Sequence, residues 1–356
     1  MYSNLSIKNL RGIESLQLEN ARRMNLIVGR NNTGKSTVLE SLFLLGSATN
    51  GTAALSIAQQ RDQFSLQADR LWRPLFGNAD PRHPIEVDGR WDDQTRRLKI
   101  SALKAEPVSA STDPKLSPTI RVTTISDNFI IGGLELAFRT AEGVPSEGTI
   151  RINPATHMIG TSGPEEPVTE IVPTGFLSAR GWPSMPDVAR QFSALVKVKQ
   201  EDSVVEALKS LDPRISRLEV LSDGGSAAVY ADIGLDSLLP LAAAGEGLVR
   251  LFVMAVSFAD IRGGVLLVDE IDNGLHHSVM AQLWMFLAQH CERFNVQVFA
   301  TTHSDEMIRS ALQCLHGESQ RPGLFRIDAR EGRHEVTSYD AEAIAAVLES
   351  NFEVRS

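Results

Sequence analysis

A chain of 356 residues, 42% hydrophobic and 22% charged, is long enough for one large or two ordinary domains and has the balance of a globular protein. Its net charge of −9 repels phosphate over the surface as a whole, so any nucleic-acid contact must use a local basic patch. Cys291 and Cys314 form no CxxC pair, and no run approaches the roughly 18 apolar residues of a membrane helix; a cytoplasmic location without a membrane partner is expected.

The opening stretch "LSIKNLRGIESLQL" reads as a hairpin: Leu5 and Ile7 alternate with polar residues, Arg11-Gly12 turns, and Leu16 and Leu18 resume the alternation. "MNLIV" (24–28) is a short continuous apolar strand of the buried parallel type. "KSTVLESLFLLG" (35–46) follows as a helix with Val38, Leu39, Leu42 and Leu45 on one face and Gly46 as its stop. Another helix is expected to run up to Trp72 before the breaker-rich "PLFGNADPRHP". From Ile85 to about Val172 the sequence breaks into short β segments, "IEVDGRW", "RLKISAL", "TIRVTTI", "LELAFRT" and "TIRIN", which suggest an antiparallel meander. Within it, "ALKAEPVSASTDPKLSPT" has the composition of a mobile loop.

"SVVEALKSLDPR" is an amphipathic helix, and "RLEVLSDGGSAAVYAD" a second hairpin. "PLAAAGEGLVRLF" (240–252) leads into a helix that closes at Gly263-Gly264. The strand "VLLVDE", a helix from about Ser278 to Arg293, the strand "VQVFATT" and a mixed tail complete the chain. There are no internal repeats and no sustained heptads, which argues against a coiled-coil arm.

Three stretches carry chemistry. "GRNNTGKS" (29–36) fits GxxxxGK[ST] and stands between a buried strand and a helix, the frame this loop requires. Gly29 and Gly34 let the backbone wrap a phosphate, which the loop N–H groups and the positive end of the helix bind. Lys35 supplies a point charge to the β and γ phosphates, the Ser36 hydroxyl is placed to coordinate Mg²⁺, and Thr37 can reach the α phosphate. "GGVLLVDE" (263–270) ends a buried strand in two carboxylates: Asp269 for the Mg²⁺ shell and Glu270 to polarise an attacking water. "VFATTHS" (298–304) delivers His303 to the end of another buried strand, where an imidazole can sense a γ phosphate. A metal centre at His276 and His277, near Asp269, Glu270 and Asp272, is discounted, because neighbouring residues rarely ligate one ion.

Together these residues resemble an ABC-class ATPase head of the RecF, SMC and OLD type. The likeness extends over the opening hairpin, "GRNNTGKS", "AAAGEGLVRL", "VLLVDEIDNGLH", "VFATTHSDEMI" and the tail from Leu324. The resemblance implies an α/β P-loop NTPase fold, with an antiparallel β-rich lobe inserted between the Walker A and Walker B motifs. It divides the chain into an N-terminal ATPase part (1–60), the β-rich lobe (61–190), the rest of the ATPase (191–340) and a tail (341–356). It further implies ATP and Mg²⁺ as ligands, and a head-to-head homodimer or larger assembly with composite sites.

Carried over by that resemblance, Gly29, Asn32, Thr33, Gly34, Lys35, Ser36 and Thr37 match the nucleotide loop, Asp269 and Glu270 the Walker B pair, and His303 the switch histidine. Lys35, Glu270 and His303 are thus the expected catalytic set. Asn273 to His276 match a loop that crosses the dimer interface. Ala244, Gly245, Glu246 and Gly247 fall on the signature, which serves the partner's nucleotide; alanine stands where related families carry a γ-phosphate-binding serine. A metal-sensing glutamine could be Gln59, Gln60 or Gln63, and Arg11 is a further candidate for contact with nucleotide or DNA.

OLD proteins continue into a TOPRIM nuclease domain, for which a chain ending at Ser356 has no room. The resemblance therefore points to a short form that gates a separate nuclease or toxin, as in the ATPase halves of anti-phage systems of the Septu and PARIS types. The alternative is a RecF-like DNA-repair ATPase, for which Arg22-Arg23 and the cluster of Arg90, Arg96, Arg97 and Lys99 are the available basic residues. A transporter ATPase fits less well, because the signature serine is missing and no glutamine loop stands out.

Overall fold

The computed structural model describes residues 1–61, 67–105, 129–141, 143–164, 168, 171–223, 225–315, 321–330 and 333–339. The expected strand "TIRVTTI", most of the expected mobile loop, Gln63 and the tail from residue 340 lie outside the described residues.

In chain order the strands and helices begin with the hairpin β1 (Tyr2–Leu10) and β2 (Ile13–Leu18), then β3 (Met24–Val28), α1 (Lys35–Ser47), α2 (Gly51–Gln59) and α3 (Ala68–Trp72). The strands β4 (Ile85–Trp91), β5 (Gln94–Lys104), β6 (Ile131–Thr140), β7 (Ser146–Ile152), β8 (Ile159–Ser162) and β9 (Thr174–Leu177) follow. Next are α4 (Met185–Lys197), α5 (Asp202–Leu211), β10 (Arg217–Asp223), β11 (Ser226–Asp232), β12 (Leu239–Pro240) and α6 (Glu246–Asp260). The last are β13 (Val265–Val268), α7 (Met280–Phe294), β14 (Gln297–Thr301), α8 (Asp305–Cys314), β15 (Gly323–Arg330) and β16 (Arg333–Tyr339).

Two large sheets face each other across α1. The first is antiparallel, in the order β2-β1-β4-β5-β6-β7-β8. Its hairpin turns at Arg11, whose φ of 55° lies in the left-handed region, and Leu10 pairs with Ile13 across the turn. The β-rich stretch is therefore not detached from the N-terminal hairpin: β1 pairs with β4, with Ile7 opposite Val87. The second sheet runs β16-β15-β3-β14-β13-β9, parallel except for β16. Residues 174–177, which the sequence division assigned to the β-rich lobe, thus pair with β13 in the parallel sheet. A four-residue strand carries too little pattern to reveal this.

The central strands β3, β13 and β14 are buried throughout, and alternate side chains serve two cores. Leu26, Leu266, Val268 and Val298 point to the helical side with Phe192, Phe252 and Trp284. Ile27, Leu267 and Phe299 point to the α1 side with Val38, Leu42, Leu45 and the inner face of the antiparallel sheet. Sandwiched between sheets, α1 is buried on nearly every face, its polar Lys35, Thr37, Glu40 and Ser41 included. Gly46 does not stop it: the helix runs on to Ser47, and a Cβ on Gly46 would lie 2.1 Å from Thr174 Oγ1. The residue is small because α1 passes directly over the start of β9.

The sequence reading had no helix at α4, although Ser184 caps it and Val188, Ala189, Phe192 and Leu195 form its buried face. No helix among the described residues is long and apolar enough to cross a membrane.

Candidate functional site

Parallel strands deliver their C-terminal ends to one edge, and in open α/β sheets that edge is the ligand crevice. Here β3 ends at the Gly29–Gly34 loop, β13 at Asp269-Glu270, β14 just before His303, and β9 before Ser178–Arg180. A cleft of about 580 Å³ opens at this edge and is lined by residues from all four ends.

The loop needs its glycines. Gly29 has φ 139°, and a Cβ there would lie 2.4 Å from the Ile327 carbonyl oxygen; Gly34 has φ 93° and caps α1. Asn32 also takes a left-handed turn, with φ 63°. Thr33 Oγ1 donates to the Arg30 carbonyl at 2.9 Å, tying the loop across its crest. The Lys35 ammonium folds back over the loop and donates to the carbonyls of Gly29 at 3.0 Å and Arg30 at 2.8 Å. Burial pushes its pKa down, while the carboxylates of Asp269 and Glu270 pull it up.

Asp269 is buried and accepts two hydroxyl hydrogen bonds on Oδ1, from Ser36 at 3.0 Å and from Thr301 at 2.7 Å. The same Thr301 Oγ1 accepts the Glu270 N–H at 2.8 Å, so one threonine of β14 fixes both acidic positions at the end of β13. Glu270 has φ 51°, in the left-handed region. One residue on, Thr302 Oγ1 donates to Asp272 Oδ1 at 2.5 Å and anchors the following turn to β14. Glu270, His303 and Thr37 all line the cleft.

A second group of cleft residues was not singled out from the sequence, apart from Arg11. Glu40, buried on α1, pairs with Arg11 at 2.5 Å and Arg61 at 3.2 Å, and Arg180 lies close enough to act on Arg11. Burial lowers the Arg11 pKa, an effect that the Glu40 carboxylate opposes. Three guanidinium groups against one carboxylate leave the rim cationic on a chain of net charge −9. No sequence motif marks this group, because its members come from the β1–β2 turn, α1, the segment after α2 and the segment after β9. His334, from the tail hairpin, also lines the cleft. Of the three candidate glutamines, Gln60 lines the cleft, Gln59 does not, and Gln63 falls outside the described residues.

The signature positions lie elsewhere. Ala244 and Gly245 lead into α6, which Glu246 and Gly247 begin, and all four are absent from the cleft lining of their own chain; Gly245 and Glu246 are exposed. Glu246 pairs with Arg250 at 3.1 Å. Asn273 to His276 fold against this corner: Gly274 has φ 71°, and a Cβ on it would lie 2.6 Å from Glu246 Oε1. The His276 and His277 rings lie 4.0 Å apart and tilted at 41°, and among the described residues no three His, Cys, Asp or Glu side chains are grouped to hold a metal.

The basic residues considered for DNA contact are mostly engaged. Arg96 is buried over the Phe138 ring and is unavailable at the surface, a correction to its place in the basic cluster. Arg90 pairs with Asp93, Arg97 with Asp88, and Arg23 donates to the Cys291 carbonyl.

The fold is that of an SMC-head-like α/β P-loop ATPase with an antiparallel β-rich lobe, and parts of the sequence are similar to AAA ATPase families and to RecF. Residues 1–89 match the family described as "AAA ATPase domain", and residues 179–309 the one described as "AAA domain, putative AbiEii toxin, Type IV TA system". An ATP/GTP phosphatase of Helicobacter pylori is 25% identical over 333 residues, 86% of each chain. RecF of Actinobacillus pleuropneumoniae is 39% identical over 69 residues, which are 18% of this chain and 19% of that protein. Among solved structures, an SMC head bound to the C-terminal winged-helix domain of ScpA shares the fold, with a TM-score of 0.50 and 13% identity, covering 97% of this chain and 99% of the other.

Proposed function

We propose that the chain binds and hydrolyses ATP in the cleft at the ends of β3, β13, β14 and β9, and that two copies close head to head over two nucleotides. The observation that carries this reading is the Ser36–Asp269–Thr301–Glu270 hydrogen-bond chain, which joins the phosphate-type loop to the acidic strand end. Phosphate oxygens arriving at the Gly29–Thr37 loop replace the carbonyls that Lys35 now contacts, and the ammonium turns to the β and γ phosphates. Glu270 polarises the attacking water, and His303 meets the γ phosphate from β14.

The donors fit Mg²⁺: Ser36 Oγ and Asp269 Oδ1, 3.0 Å apart, are hard oxygen ligands of the kind that complement two phosphate oxygens. Bound there, the ion would neutralise charge on the terminal phosphates.

Head-to-head closure is supported by the exposed signature at the start of α6, outside its own cleft. Its N–H groups and helix dipole can serve a partner's γ phosphate even without the serine hydroxyl that Ala244 lacks. The assembly then gates or senses for a separate effector, a nuclease or toxin, in anti-phage defence. The local likeness to RecF favours a second reading, a DNA-repair ATPase; the engaged arginines of the basic cluster weigh against it.

Calorimetric titration with ATP and Mg²⁺ tests the site. The native chain should bind, and Lys35→Ala should lose at least a hundredfold in affinity; equal affinity in both sinks the assignment.

A further inference from the structure

The cleft has a side that the phosphate chemistry does not use. Strands β13 and β14, with Asp269, Glu270 and His303, lie on one flank of β3, while β15 and β16 lie on the other. A triphosphate whose γ end meets Glu270 and His303 and whose α end lies by Thr37 therefore sends its nucleoside away from β13 and β14, toward the β15–β16 hairpin.

His334 stands there. It is the second residue of β16, opposite Ala329 of β15, and its half-buried side chain lines the same cleft as Lys35 and Ser36. A Cβ placed on Gly34 would lie 3.7 Å from its Cδ2, so the ring is a neighbour of the phosphate-type loop itself. Its Nδ1 is shielded from solvent and has no hydrogen-bond partner. A shielded polar atom left unpaired is costly, so the ring lacks a polar partner in the unliganded protein. Burial also keeps the imidazole below its usual pKa. Neutral imidazole offers one donor and one acceptor nitrogen, a match for hydroxyl groups that can do both.

We propose that His334 is a nucleoside-contacting residue that hydrogen-bonds the ribose hydroxyls of the bound nucleotide. The ribose is favoured over the base because the ring is within contact distance of the loop, and the sugar directly follows the α phosphate. The proposal rests on the nucleotide-site reading above and adds a determinant for ribonucleotides over bare polyphosphate.

The test compares ATP, 2′,3′-dideoxy-ATP and inorganic tripolyphosphate, each with Mg²⁺, on the native chain, His334→Phe and His334→Gln. Phenylalanine keeps a flat ring beside Gly34, and glutamine restores a hydrogen-bonding group. His334→Phe should weaken ATP about tenfold, leave tripolyphosphate unchanged and leave the dideoxy analogue unchanged, while His334→Gln recovers part of the loss. Equal ATP affinity in the native chain and His334→Phe, or equal losses for ATP and tripolyphosphate, overturns the proposal while the phosphate site stands. If the native chain binds neither ATP nor tripolyphosphate, the nucleotide-site reading and this proposal fall together.

Discussion

Replacing Glu40 by glutamine isolates the electrostatics of the cleft rim without changing side-chain shape. The Glu40 carboxylate is 4% exposed and the Arg11 guanidinium 8%, with 2.5 Å between Oε2 and Nε; Arg61, 39% exposed, reaches Oε1 at 3.2 Å. After Glu40→Gln, Arg11 keeps its hydrogen bond to the Ile57 carbonyl at 3.3 Å, but its charge is left facing Arg61 and Arg180. Breaking a buried pair by removing one partner costs about 3–5 kcal/mol, because the surviving charge is left in low dielectric without compensation. For a chain of this size that lowers Tm by about 4–7 °C, given an unfolding entropy of roughly 2.1 cal/mol/K per residue.

The loss should also depend on ligand. A polyphosphate in the cleft supplies the negative charge that Glu40 took away, so ATP with Mg²⁺ should raise the Tm of the variant by more than it raises that of the native chain. Urea unfolding followed by circular dichroism gives the free energy, and thermal scans with and without ATP give the linkage. A loss under about 1 kcal/mol without ligand would refute the reasoning, because it is what an exposed pair gives.

Two further outcomes concern assembly and pH. Glu270→Gln removes the carboxylate proposed to polarise water but leaves the backbone contact to Thr301 in place; with ATP it should elute at twice the native apparent mass, and an unchanged elution volume counts against nucleotide-driven pairing. His290 is sealed among Phe258, Phe286 and Phe294, and burial lowers its pKa below the usual value near 6.5. The unfolded chain then binds the extra proton as pH falls through about 6.5, so this contribution to stability is complete above that pH and is lost below it. Between about pH 7.5 and 5.5 unfolding free energy should drop more steeply in the native chain than in His290→Leu; parallel slopes would mean that His290 is not held neutral by its surroundings.

Much of the fold was legible in short periodic signals. The alternation in "LSIKNLRGIESLQL" announced β1 and β2, and the apolar runs "MNLIV", "VLLV" and "VQVFAT" announced the central strands. The glycines of "GRNNTGKS" were readable because only glycine tolerates those backbone angles and that close approach to Ile327. Other elements had no such signal. The four residues of β9 are too few for a period, and Gly46 resembled a helix stop because its neighbour, Thr174, is distant in the sequence. Arg96 read as a surface charge until β1 and β6 brought Tyr2 and Phe138 over it.

What the sequence determined by itself was the set of local rules: strand, glycine loop, helix, acidic strand end and histidine strand end, each written within about ten residues. Tertiary structure decided which of these meet. The parallel order β15-β3-β14-β13-β9 lines up strand ends that are far apart in the chain, and that alignment lets Ser36 and Thr301 share the Asp269 carboxylate. It also added Glu40, Arg61, Arg180 and His334 to the cleft, and left Gly245 and Glu246 exposed at the start of α6. The reason is physical. Local propensity acts through neighbours along the chain, whereas a site's electrostatics act through distances that only packing sets.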